Sequence, residues 1–212
     1  MNWAKTLALL MAAFASEVGP ETSLDPKAEE VIARSRATDA TYTIYWRVSV
    51  VGGASGSYHA WGATFRQGAL LRVEDMRSRA VADCSTGTAT QYGLSIGRDD
   101  YSYGTKVAKR YCGIDADRKV ISTRWLGRKD GKFGPVDEIQ VVDKDGTSLY
   151  QVTESGVVVR IYTTSRESDV TVAVEPISFE FSVPNGDLFS RKSLGTSRVS
   201  KQLQSRGARS DR

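Results

Sequence analysis

The sequence predicts a mainly β protein: a single curved antiparallel sheet that forms a half-open, incomplete barrel of about ten to eleven strands, with an N-terminal amphipathic helix. Runs of alternating apolar and polar residues recur along the chain, and short polar or glycine-containing turns separate them. Helical periodicity is clear at one place only, so the alternation of strands and helices found in α/β folds is absent from the pattern. A closed, lipocalin-like barrel is the alternative.

The first residues have the pattern of a secretory signal peptide. Lys5 precedes ten mostly apolar residues, 6–15, which end in Ala13, Phe14 and Ala15. This stretch is too short to span a bilayer, which needs about 20 apolar residues. We therefore expect a signal peptide at 1–15 and a periplasmic protein; a buried N-terminal helix is the alternative.

The helix is predicted to begin at Asp25 and Pro26. Asp25 is a suitable N-cap, and proline is tolerated at the first helical position, where its missing N–H costs nothing. An apolar stripe with helical spacing follows, at Ala28, Val31, Ile32 and Ser35. One amphipathic helix therefore precedes the sheet.

The first half of the sheet begins with the clearest strand, 42–51, and continues through a glycine-rich connection into a strand at 58–65. Further strands are predicted at 69–74, 79–83 and 88–96, with a turn at 97–100. Residues 107–112 and 120–126 are candidate strands, although 106–111 also fits a short helix. A glycine-containing loop is predicted at 127–134.

A meander of strands is predicted from 136 to 183. Its strands are expected at 136–142, 149–153, 157–163, 170–174 and 177–183. Asp145 and Gly146 fit a tight hairpin turn in which the glycine has positive φ. Pro176 is expected to end one strand, and a last strand would place Ile177, Phe179, Phe181 and Val183 on one face.

Two apolar strips, in the first and last strands, are the candidate ligand-binding residues. In each strand, alternation places the apolar residues on one face. The candidates are Tyr42, Ile44, Trp46, Val48, Phe179 and Phe181. In a half-open barrel they would line a concave apolar cavity. The alternative is that they form an ordinary core.

The two cysteines, Cys84 and Cys112, are predicted to form a disulfide if the protein is exported. A redox-active pair is the alternative, although the two are not in a C-x-x-C arrangement. His59 is the only histidine, so a metal site built on several histidines is excluded, and no G-x-S-x-G motif is present. The sequence therefore predicts no enzyme, no cofactor and no metal.

The C-terminal segment 189–212 carries the basic charge of the chain. It contains seven Lys or Arg and one Asp, a net charge of +6, which leaves −2 for the rest of a chain whose total is +4. Its apolar residues are scattered singly among Ser and Gly, so we expect a disordered tail after a domain at 16–188. The tail is either a solvated end or a weak contact for an anionic membrane surface. Without a recognisable module or interleaved aromatic residues, no nucleic-acid binding is expected.

Three short motifs resemble the LolA/LolB family of periplasmic lipoprotein carriers. They are the sequences FRQGALLRV at 65–73, DGT at 145–147 and FEFSVPNG at 179–186, in the order in which the family has them. The resemblance implies an incomplete barrel with a helical lid over a cavity for lipoprotein acyl chains, and an arginine, here Arg66, that holds the lid closed. The chain departs from the family at Gln67, where the family has proline, and its cysteine pair and basic tail are additional. The middle of the chain does not obviously supply the carrier's lid helices.

Two functions remain open from the sequence. The first is a non-enzymatic periplasmic carrier or sensor that binds lipid or lipoprotein acyl chains in an apolar cavity. The second is a periplasmic protein-interaction module without a lipid ligand, whose sheet edge or face binds a partner.

Overall fold

The structure is a computed structural model that describes residues 23–53, 56–93, 98–100, 108, 110–114 and 119–199. The predicted signal peptide at 1–15 and residues 200–212 of the predicted tail lie outside the described residues. Among the described residues, no helix combines the length and the apolar character needed to cross a membrane.

The protein forms one antiparallel sheet of 11 strands that is not closed into a barrel. The spatial order is β6-β5-β4-β3-β2-β1-β11-β10-β9-β8-β7, so β6 and β7 are the two edges. The elements are α1 Pro26–Ala37, β1 Tyr42–Val51, β2 Tyr58–Gln67, β3 Leu70–Glu74, β4 Ser78–Asp83, β5 Thr88–Gly93, β6 Arg98–Asp100, β7 Val120–Gly131, β8 Gly134–Asp143, β9 Gly146–Thr153, β10 Val158–Ser165, β11 Thr171–Glu180 and a 3₁₀ helix, Arg191–Gly195. The predicted fold class, an open antiparallel sheet with one helix before it, is confirmed.

Helix α1 begins where the sequence predicts and covers one face of the sheet. The carboxylate of Asp25 accepts hydrogen bonds from the backbone N–H groups of Lys27 and Ala28, which satisfies two N–H groups that have no partner inside the helix. The predicted apolar stripe is buried and packs against β8 and β9 through Ile139, Val141 and Tyr150. We call the face that α1 covers the inner face and the opposite one the outer face.

The middle of the chain differs from the prediction at two places, and at a third it agrees with the alternative that the sequence left open. Residues 98–100, predicted as a turn, form the edge strand β6 and pair with β5. Ala108, Arg110 and Tyr111 are helical, so the short-helix alternative is correct for the described residues of that stretch. The predicted loop at 127–134 is a β-ribbon, because β7 and β8 stay paired as far as Gly131 and Gly134. Strand pairing overrides the turn preference of the glycines there.

The last two predicted strands are one strand, β11, which runs through Pro176. The pairing of β1 with β11 shifts register between Tyr45 and Trp46, whose partners are Ser178 and Pro176. Such an irregularity tolerates a residue without an N–H, so the proline does not end the strand.

Gly146 is required for a different reason from the predicted one. It is absent from the glycines with positive φ, and its N–H donates to the side chain of Asp143. A Cβ atom on Gly146 would lie 2.0 Å from the carbonyl oxygen of Thr164. The glycine therefore permits a close approach of two backbones rather than an unusual turn conformation.

The prediction that the chain is disordered from Phe189 onward is wrong for residues up to Val199. Residues 188–199, which we call the C-terminal strap, lie across the outer face, with Leu188 and Leu194 buried. The strap supplies polar partners to Arg72 and Glu74, two buried residues of β3. These distant partners, which local composition does not reveal, offset the cost of ordering the strap.

Candidate functional site

The inner face carries a half-open cavity of about 440 Å³ at the C-terminal end of α1, which we call the inner cavity. Its wall combines apolar side chains of the central strands with Ser35 and Thr38 at the end of α1 and with residues of the segment 110–114. The apolar lining includes Tyr42, Trp46, Val48, Leu71, Val73, Tyr150, Val158, Ile161 and Val174. This volume lies within the range of about 300–1,000 Å³ that is common for sites of small ligands.

The structure separates the six residues predicted to bind a ligand. Tyr42, Trp46 and Val48 line the inner cavity. Ile44 is fully buried in a neighbouring apolar cluster, and Phe179 packs against that cluster. Phe181 is 66% exposed, with its ring centroid 4.7 Å from that of Phe179. The first strand therefore contributes to the cavity wall, whereas the end of the last strand lies outside it.

Trp46 is held in the cavity wall by a single polar contact. Its indole N–H donates to the hydroxyl of Thr64 on β2 at 2.9 Å. This satisfies the only hydrogen-bonding group of the side chain, and the rest of the ring is apolar. Trp46 is thus positioned to report on whatever enters the cavity.

The cavity has a second cover, the lid segment 110–114, which a disulfide ties to the sheet. Cys112 is bonded to Cys84, directly after β4, so the predicted disulfide is confirmed. Ile114 of the lid segment is buried in the same apolar cluster as Val31 and Ile32 of α1. Both Tyr111 and Ile114 line the cavity.

Helix α1 and the lid segment are joined by hydrogen bonds. The N–H of Ile114 donates to the hydroxyl of Ser35 at 3.1 Å, and the Nε of Arg36 donates to the carbonyl of Ile114 at 2.9 Å. Gly113 has positive φ, and a Cβ atom there would lie 2.6 Å from the carbonyl of Ser35. The two covers are therefore in intimate contact and form one continuous roof over the cavity.

Arg66, the predicted lid-holding residue, contacts the end of α1. It is 2% exposed, its Nε donates to the carbonyl of Gly68 at 2.9 Å, and its guanidinium also donates to the carbonyl of Thr38, the C-cap of α1. Burial raises the pKa of the neighbouring Tyr42, against the opposing effect of the Arg66 cation. Arg66 thus links β2 to the end of the roof helix, and its role in ligand exchange stays a prediction.

Several lining residues were not selected from the sequence. Tyr150, Val158 and Ile161 lie in strands that the sequence predicts, but which face each strand presents depends on its register in the sheet. Tyr111 comes from the stretch with an ambiguous pattern, and Ile114 lies just after it. Alternation within each strand is the only sequence signal that could have identified Tyr150, Val158 and Ile161.

The described residues contain no group of three or more His, Cys, Asp or Glu arranged to hold a metal ion. His59 is exposed on β2, with its Nδ1 at 3.0 Å from the hydroxyl of Ser49. His59 does not line the inner cavity. The largely apolar wall of the cavity suits an apolar ligand.

Comparisons with known proteins find similar structures but no matching sequences. No family model matches the chain, and no curated protein matches it. Similar solved structures include an uncharacterized conserved protein from Thermus thermophilus, with 14% identity over 82% of this chain and 95% of that one and a TM-score of 0.46. MucB has 10% identity over 82% of this chain and a TM-score of 0.49, and this chain covers 64% of it.

A LolA superfamily protein from Nitrosomonas europaea is also similar, with 7% identity over 79% of this chain and 99% of that one and a TM-score of 0.44. The superfamily that the sequence motifs resemble is thus represented among the similar structures. With TM-scores below 0.5, these likenesses carry no argument about function.

Proposed function

We propose that the protein is a non-enzymatic periplasmic carrier or sensor that binds the acyl chains of lipids or lipoproteins in the inner cavity. The observation that carries this proposal is the cavity of about 440 Å³ with a largely apolar wall and a roof made of α1 and the lid segment. Burial of an acyl chain there would contribute about 0.8 kcal/mol per CH₂ group.

The polar groups in the wall support a ligand without specific polar recognition. The indole of Trp46 and the guanidinium of Arg66 already have protein partners. Among the described residues, the buried side-chain atoms without a hydrogen-bond partner are the Nε atoms of Arg34 and Arg198, and neither residue lines the cavity. An acyl chain needs none of these groups, and the charged lining residues Asp75 and Arg110 are exposed, where the polar headgroup of a ligand would meet them.

The proposed compartment is supported by two features. The disulfide between Cys84 and Cys112 is typical of an oxidising environment. The pattern of residues 1–15 is that of a signal peptide. The predicted weak contact of the basic residues 200–212 with an anionic membrane belongs to the same proposal.

Tryptophan fluorescence tests the ligand. Trp61→Phe and Trp125→Phe, in a protein that begins at Ser16, leave Trp46 as the reporter. Titration of the delipidated protein with fatty acids of increasing length should give a saturable change in emission. Each buried CH₂ group contributes about 0.8 kcal/mol of binding free energy. The affinity should therefore rise about fourfold per CH₂ until the cavity is filled.

A matched pair of substitutions locates the binding. Val174→Asp places a charge in the cavity wall and should abolish the response, while Val51→Asp, at an exposed position of β1, should leave it unchanged. Absence of saturable binding by any chain length, in folded protein confirmed to be free of lipid, would favour the interaction-module alternative.

A further inference from the structure

Strands β10 and β11 are paired over only part of their length and separate at one end, which leaves a split in the sheet. These strands pair only through Ile161–Thr164 and Thr171–Val174, so residues 158–160 of β10 have no partner on β11. On the other side of the split, residues 175–180 of β11 remain paired with β1 but not with β10. Two strand edges therefore face each other without being joined by strand pairing.

The split opens into a groove of about 560 Å³, which we call the outer groove. The tip of the β7–β8 hairpin closes one end of it. There the Nζ of Lys132 donates to the carbonyl of Ile177 at 3.4 Å, and the ring of Phe133 lies 5.7 Å from that of Phe179. A β11 carbonyl at this end therefore accepts a hydrogen bond from a side chain, as expected of a strand edge that presents backbone hydrogen-bonding groups.

The outer groove is on the opposite face of the sheet from the inner cavity. Arg47 and Trp61, which line the groove, are partners across β1 and β2, and their chain neighbours Trp46 and Gly62 line the inner cavity. Successive residues of a strand point to opposite faces, so β1 and β2 separate the groove from the cavity at these positions.

The groove lining has a surplus of positive charge. Arg47, Lys129, Lys132 and Arg160 lie there with two carboxylates, Asp130 and Glu175. Glu175 already binds both arginines, at 3.1 and 2.7 Å, and Lys129 binds Glu138. Lys132 is exposed and forms no ion pair with any carboxylate that the structure describes. An anionic occupant would therefore meet a complementary field.

We propose that the outer groove binds an extended, acidic segment of a partner protein, which adds as a strand to the free edge of β11. The free edges favour a peptide over a lipid anion, because a peptide offers a row of backbone donors and acceptors and a lipid does not. Apolar side chains at Trp61, Val159 and Ile177 provide surface for alternate side chains of the added strand. The surplus of cations selects an acidic sequence.

A random heptapeptide library displayed on phage tests the proposal against the full folded chain. Enriched peptides should alternate apolar and acidic residues and should lack internal proline, since proline removes a donor from strand pairing. A labelled enriched peptide should bind at least tenfold more weakly to Lys132→Glu than to the parent protein, by fluorescence anisotropy. Lys144→Glu, an exposed lysine in the β8–β9 turn, is the matched control and should bind unchanged.

Single-tryptophan proteins separate the two sites. The peptide should change the emission of a protein that retains Trp61 and leave that of a protein that retains Trp46 unchanged. The proposal is overturned if no peptide is enriched, if enriched peptides have no acidic excess, or if the peptide responds only through Trp46. Vesicles of phosphatidylglycerol that bind through Lys132 while peptides do not would assign the groove to lipid anions and would also overturn it.

Discussion

Two buried arginines, only six residues apart, each hold a segment that covers the sheet. Arg66 is on the inner face and donates to Thr38 at the end of α1, whereas Arg72 is on the outer face and donates to carbonyls of the C-terminal strap. A buried guanidinium must find acceptors for its N–H groups, and the strands alone do not supply them. Each arginine therefore specifies where its covering segment docks.

Replacement of Arg66 by leucine tests the link between the roof and ligand exchange. The change leaves the carbonyls of Thr38 and Gly68 without this donor, which should loosen the end of α1 and lower the free energy of unfolding by about 1–3 kcal/mol. A bound fatty acid should then dissociate faster in a stopped-flow measurement of Trp46 emission.

The control for this experiment is Arg128→Leu, which removes an exposed arginine paired with Glu154. Exposed pairs contribute little, so its dissociation rate should match that of the parent protein. An unchanged rate in Arg66→Leu would show that Arg66 does not govern release.

The sequence identified Arg66 but not the role of Arg72. Arg66 was singled out by its place in the FRQGALLRV motif, which resembles a family feature. Arg72 lies in the same motif, but its acceptors at Leu188, Ser193 and Thr196 are 116 to 124 residues away. A partner at such a distance leaves no local pattern, so a buried arginine looks like an exposed one in the sequence.

Among the elements, α1 was predicted most completely because its signals are local. The Asp25 cap, Pro26 and the apolar stripe lie within one short stretch. Its attachment to the sheet was not predictable, because the second oxygen of Asp25 accepts from the N–H of Trp125 at 2.9 Å. That hydrogen bond, together with those from Lys27 and Ala28, lowers the pKa of Asp25 despite the partial desolvation of its carboxylate.

This lowered pKa predicts a loss of stability in acid. Because the folded pKa of Asp25 is below its ordinary value of 3.8, its ionisation stabilises the fold above that value, and the stabilisation is lost as pH falls through the folded pKa. Asn at this position keeps a capping oxygen but cannot ionise. The melting temperature of Asp25→Asn should therefore fall less than that of the parent protein between about pH 5 and pH 2.

The acid titration needs a control at another carboxylate. Asp169→Asn changes an exposed residue in the β10–β11 turn and should follow the parent curve. The carboxylates of Asp83 and Asp187 also have lowered pKa values, because they accept hydrogen bonds from Ser85 and Ser190. The Asp25→Asn variant should therefore still lose some stability in acid. Parallel curves for Asp25→Asn and the parent would contradict the assignment to Asp25.

In the whole molecule, both faces of the sheet are covered, but by different parts of the chain. The roof of α1 and the lid segment covers the inner face and leaves the inner cavity. The C-terminal strap covers the outer face of β2 to β5 and leaves the outer groove beyond it. The strands and their alternation could be predicted from the sequence, whereas the second cover could not, because residues 188–199 resemble a disordered tail in composition.

Shortening the chain tests the strap as part of the fold. A protein ending at Asp187 lacks Ser193 and Thr196, which accept from Arg72, and the N–H of Arg198, which donates to Glu74. Arg72 and Glu74 form a buried ion pair, with a nitrogen-to-oxygen distance of 2.7 Å. The loss of partners of such a pair costs on the order of 3–5 kcal/mol, so the melting temperature should fall by about 6–20 °C. A protein ending at Val199 keeps these contacts and should melt like the full chain.

A double-mutant cycle shows whether Arg72 is the reason for that loss. Arg72→Met in the full chain removes the cation but leaves the strap carbonyls of Leu188, Ser193 and Thr196 without a donor, so it should also be destabilising. In the protein ending at Asp187 those carbonyls are already gone, so the same substitution should cost less there, while the loss of the ion pair between Arg72 and Glu74 is common to both backgrounds. The two losses, measured as free energies of unfolding, should therefore sum to more than the loss of the combined variant. Additive losses would mean that Arg72 and the strap stabilise the sheet independently, and that the strap is held by its apolar contacts and by its hydrogen bonds to Glu74 and Arg79.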